Sequence, residues 1–141
     1  MQTSNWPTFD NIPQPKMVCF GVGNGSGSKL FQSYLDDHPQ IYMVPAYILM
    51  YLYPHWDQWE DDYRDNWNWD TIINAFCEKH ASLLDTRQIP GHDGMTTLGS
   101  DMNQWLEIEE KTFRDFLTHL LSNQPIRCKT FLLAIHYAYA Y

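Results

Sequence analysis

The sequence predicts a helix-rich α/β protein with a parallel sheet. Three observations point that way. Residues 17–22, Met-Val-Cys-Phe-Gly-Val, form a short apolar run that does not alternate with polar residues, as a strand covered on both faces requires. The next stretch, Gly23-Asn24-Gly25-Ser26-Gly27-Ser28, is followed by Leu30, Phe31, Tyr34 and Leu35 at helical spacing, which completes a strand–turn–helix unit. Residues 41–44, Ile-Tyr-Met-Val, repeat the short apolar run and are ended by Pro45, as a second strand would be.

Along the chain, residues 1–16 read as an irregular lead-in, because Pro7, Pro13 and Pro15 oppose regular structure. Residues 17–141 make up the domain. The helix over 29–37 is stopped by His38-Pro39, since the residue before a proline is pushed out of the helical region. A helix over 46–53 ends at Pro54. Residues 55–68 are crowded with Trp, Asp and Tyr. A helix over 70–84 carries Ile72, Ile73, Phe76, Leu83 and Leu84 on its apolar side, and 86–100 is a glycine-containing loop. A long helix covers 101–121, capped by Asp101, with Trp105, Ile108, Phe113, Phe116, Leu117, Leu120 and Leu121 at intervals of three and four. After a break at 123–125, a last helix runs over 130–141. Two strands are too few for a complete parallel sheet, so the expectation is an N-terminal piece of a longer protein or a truncated product.

Bulk properties narrow the function. The chain has 141 residues and a formal net charge of -8, which opposes binding to a nucleic-acid backbone. A single phosphorylated small ligand is compatible, because one pocket can be positive in an acidic protein. Cys19, Cys77 and Cys128 fit no zinc spacing and read as reduced, mostly buried thiols. Residues 1–16 lack the apolar stretch of a signal peptide, and the apolar region 41–53 is too short to span a bilayer. A cytoplasmic protein is expected.

The chemistry is concentrated at 23–30. The first N–H groups of a helix have no internal partners and carry partial positive charge, so a glycine-rich turn entering a helix is an anion site. Glycines let the backbone approach the anion; Ser26 and Ser28 add hydroxyl donors and Lys29 adds an ammonium. The nucleoside-triphosphate form of this loop needs Gly-Lys-Ser/Thr, and here Ser28 and Leu30 flank Lys29. The magnesium-binding hydroxyl is missing, which disfavours a nucleotide or small-molecule kinase. The alternating Gly23, Gly25 and Gly27 also fit the dinucleotide fingerprint poorly.

Phe20-Gly21-Val22, Ser26-Gly27-Ser28, the apolar positions from Leu30 to Leu35, and Asp37-His38-Pro39-Gln40-Ile41 together resemble the N-terminal segment of P-loop sulfotransferases. The resemblance covers 18–44. It implies a three-layer P-loop fold with a parallel sheet, and a loop that binds the 5′-phosphosulfate of 3′-phosphoadenosine 5′-phosphosulfate without a metal. On that resemblance Gly23 to Leu30 hold the donor: Ser26, Gly27, Ser28 and Lys29 cover the phosphosulfate, while Asn24 and Gly25 supply backbone. Lys29 would also stabilise the reacting oxygens. The family's basic residue before Ser-Gly is Gly25 here, and Lys29 replaces its second threonine. The implied reaction of the complete protein is sulfuryl transfer to a hydroxyl or amine on a small-molecule or glycan acceptor.

Other candidates each have a plainer reading beside them. The stretch 55–69 could wall an acceptor site, with Asp57 or Glu60 as general base, or be a solvated loop pinned by tryptophan packing. His38 suits a turn. His55, His80, His92, His119 and His136 show no paired ligand spacing. Glu107, Glu109 and Glu110 read as a solvated helix face, and Tyr137, Tyr139 and Tyr141 as packing. A non-catalytic interaction module is the alternative from a different class, favoured by the abundance of Trp and Tyr. The oligomeric state stays open.

Overall fold

Ile48, Leu52, Trp56 and Trp59 are buried and lie on one stripe of a helix, 3–4 residues apart. The helix they define, α1 (Ile48–Asp62), runs through Pro54 instead of ending there. The computed structural model describes residues 6–12, 16–19, 31, 34–35, 38–44, 48–88, 96 and 101–140, apart from the side chains of 49–51. Proline removes one helical hydrogen bond and crowds the preceding turn, a cost of about 3 kcal/mol. Burying Trp56 and Trp59 on the far side of the proline contributes about 1.5–3 kcal/mol for each large side chain, and the continuous stripe wins.

α2 (Trp69–Lys79) starts at a proper cap: the Asn68 side chain accepts from the Thr71 N–H at 3.0 Å. It ends at His80, whose N–H donates to the Phe76 carbonyl (2.9 Å), and a 3-10 turn, Ala81–Leu84, follows where the sequence predicts continued α-helix. α3 (Glu110–Leu121) and α4 (Cys128–Ala140) complete the main helices. α3 packs against α2 and α4, and α1 lies on α2 and α4.

The core is aromatic. Phe76, Phe113 and Phe131 are each at most 1 % exposed. Phe131 is the hub: its ring lies 5.4 Å from Phe76, edge-on, and 6.0 Å from both Trp56 and Trp69. The Trp69 indole N–H, which would be costly to bury unpaired, donates to the Gln124 carbonyl at 2.8 Å. The N-terminal residues join this core despite their irregular backbone. Phe9 and Ile12 are buried, Trp6 meets Phe116 edge-on at 5.2 Å, and a 3-10 turn spans Phe9–Asn11.

The expected α/β architecture is overturned. Among the described residues there is no strand and no sheet, so the parallel three-layer P-loop arrangement is absent there and the regular structure is helical. Residues 17–19 and 41–44 are irregular. A strand in a parallel sheet must be covered on both faces, yet Val18 is 71 % exposed and Tyr42 47 %. Val44 instead anchors its segment in the helical core, and Tyr42 packs edge-on against Tyr137 at 5.5 Å. Short apolar runs carry too little periodicity to separate these outcomes.

The long helix also begins later than expected, at Glu110 and not at Asp101. Residues 106–108 pair with 84–86 instead. Thr86 donates its N–H to the Leu106 carbonyl (3.0 Å), Ile108 donates to Leu84 (2.8 Å), and Asp85 and Glu107 form an antiparallel bridge. The Thr86 hydroxyl accepts from the Leu106 N–H at 3.0 Å. Met102 adopts φ 53°, which is incompatible with a right-handed helix starting at Asp101.

Candidate functional site

The residues assigned to the donor, Gly23, Asn24, Gly25, Ser26, Gly27, Ser28, Lys29 and Leu30, lie outside the described residues. On their C-terminal side, Phe31, Tyr34 and Leu35 are helical. The His38 N–H donates to the Leu35 carbonyl at 3.3 Å, and the Ile41 N–H returns to the His38 carbonyl at 3.0 Å. The His38 imidazole Nδ1 accepts from the Gln40 N–H at 3.2 Å, so this side chain serves the turn, as its sequence position suggests.

The stretch proposed as an acceptor wall is not a loop up to Asp62; it is the second half of α1. Trp56 and Trp59 are core residues there, and Asp57 and Glu60 project from the exposed side. At the end of the helix, Glu60, Asp61, Arg64 and Trp67 line an open hollow of ≈ 370 Å³. Arg64 donates to Asp61 at 2.6 Å; both side chains are well exposed, so solvent screens the pair.

Two side-chain clusters escaped sequence reasoning because each joins residues far apart in the chain. In the first, His55 stacks on Trp59 (5.9 Å), while the His80 ring lies 5.4 Å from His55 and 5.3 Å from Phe76. His80 is 5 % exposed. The second surrounds Asp85, whose carboxylate accepts the Arg87 backbone N–H (3.0 Å), Arg87 Nε and Nη2 (2.8 Å each) and Gln88 Nε2 (2.8 Å). The hydrogen-bonded Arg87 guanidinium holds the Asp85 carboxyl well below the usual carboxylate range, and Asp85 raises Arg87 in return. Arg87 also reaches Glu107 Oε2 at 3.0 Å and lies over the Trp105 ring at 5.1 Å. Glu107 is therefore part of this clasp and not of a helix face. With one guanidinium between two carboxylates, the clasp ties 85–88 to 105–107.

No family model, curated protein or solved structure matches the chain.

Burial shifts several further groups. Desolvation pushes the Cys77 thiol up to about 12 and the Cys128 thiol up to about 11, so neither is an activated nucleophile. All three cysteines are free; Cys77 is buried and Cys128 half-buried, whereas Cys19 is exposed, against the expectation of mostly buried thiols. His136 is shifted down by burial, and its Nδ1 lies 2.7 Å from the Leu132 carbonyl, the geometry of an Nδ1–H donor. Tyr137 is buried and Tyr139 gives its hydroxyl proton to the Leu83 carbonyl, so both are packing residues; Tyr141 and His92 lie outside the described residues. Glu110 accepts from Arg114 one turn on, at 2.7 Å, and Thr112 donates to Glu109. Among the described residues no group of three His, Cys, Asp or Glu side chains could hold a metal, and no helix is long and apolar enough to cross a membrane.

Proposed function

We propose that residues 23–30 bind the 5′-phosphosulfate of 3′-phosphoadenosine 5′-phosphosulfate, in support of sulfuryl transfer to a hydroxyl or amine acceptor. The observation that carries this reading is the Gly/Ser/Lys segment leading to helical residues that leave through the His38-Pro39 turn. An anion site of this kind depends on helix N–H groups and close backbone approach, not on a neighbouring sheet. In the transfer, the acceptor oxygen or nitrogen forms a bond to sulfur as the bond from sulfur to the 5′-phosphate oxygen breaks. Adenosine 3′,5′-bisphosphate departs, and the acceptor proton passes to a base. Lys29 offsets negative charge growing on the bridging oxygen. Asp57 and Glu60 remain the carboxylates offered for the base.

Isothermal titration with adenosine 3′,5′-bisphosphate tests the proposal. Saturable binding is expected without magnesium, and Lys29→Ala should weaken it at least about tenfold, equivalent to about 1.4 kcal/mol. A folded sample that gives no binding heat sinks the reading, and magnesium-dependent ATP turnover would replace it with a kinase.

A second reading, a non-catalytic interaction module, is favoured by exposed aromatic side chains on the described body: Tyr34 is 74 % exposed, Tyr53 64 % and Trp105 48 %. Self-association in sedimentation, lost on Tyr53→Ser and accompanied by no nucleotide binding, would select it.

A further inference from the structure

We draw no further inference here: the strongest candidate, the open apolar hollow of ≈ 310 Å³ between Trp6, residues 106–108 and the faces of α3 and α4 at Phe113, Phe116 and Tyr139, has its tyrosine hydroxyl committed to Leu83, and nothing in the structure shows what covers it.

Discussion

Replacing Pro54 with alanine should stabilise the protein. Pro54 is exposed and sits inside α1, six residues after its first residue Ile48. Proline there supplies no N–H for the carbonyl one turn earlier, and its ring presses on that same turn, at about 3 kcal/mol relative to alanine. Proline returns about 0.4–1 kcal/mol by stiffening the unfolded chain. The net gain for Pro54→Ala is then about 2 kcal/mol. At about 2.1 cal/mol/K per residue, a chain of 141 residues has an unfolding entropy near 0.3 kcal/mol/K, so Tm should rise by about 7 °C. Thermal unfolding followed by far-ultraviolet circular dichroism measures it, and urea unfolding should show a higher midpoint at an unchanged slope. Pro54→Gly provides the contrast, since glycine restores the N–H but gives up about 1 kcal/mol of helix propensity. An unchanged or lowered Tm for Pro54→Ala would mean that the chain does not continue as one helix across Leu52 and Trp56.

Three more outcomes are expected. Phe131→Ala, at the hub of the aromatic core, should cost about 3–5 kcal/mol in urea unfolding; a loss below about 1 kcal/mol would contradict the ring contacts with Trp56, Trp69 and Phe76. Asp85→Asn should flatten the acid limb of the stability curve: the Asp85 carboxyl is depressed on folding, so its contribution is full above about pH 5 and is lost as pH falls through the ordinary carboxylate value toward the folded one. A wild-type acid limb retained in the variant would remove Asp85 from that role. With an aromatic disulfide reagent at about pH 8, Cys19 should react first, and Cys77 and Cys128 only slowly until denaturant is added; three equal fast rates would contradict the burial of Cys77.

Helices were legible where burial is local and repetitive. Ile72, Ile73 and Phe76 mark α2, and Phe113, Phe116, Leu117 and Leu120 mark α3, because each set lies on one face within a few turns. The structure departs from the sequence expectation where distant residues decide. Nothing near Asp101 announces that Leu106 will bond to Thr86, twenty residues earlier, so Trp105 and Ile108 passed for the first turns of a helix. Pro54 reads as a stop because the benefit of burying Trp56 depends on Phe131, over seventy residues away, and that of Trp59 on His80. The apolar runs at 17–22, of which 20–22 lie outside the described residues, and at 41–44 suit strands, but a strand exists only when a neighbour bonds to at least one of its edges, and no sequence rule supplies that neighbour. For the candidate site, the His38 turn was readable from His-Pro itself, whereas the His55–His80 cluster and the Asp85 clasp were not. The donor residues from Gly23 to Leu30 rest on motif chemistry alone.

The pairing of 84–86 with 106–108 also has a topological meaning. It staples two points of the chain together, so the two ends of the connection between them are fixed to each other. The entropy of closing a flexible loop grows only with the logarithm of its length, about 0.6 kcal/mol for each doubling. Most of the closure cost is already borne by the Thr86–Leu106 bonds and the Arg87 clasp. Lengthening that connection with foreign sequence, such as an epitope or a reporter peptide, accordingly adds little closure entropy to what the pairing already bears.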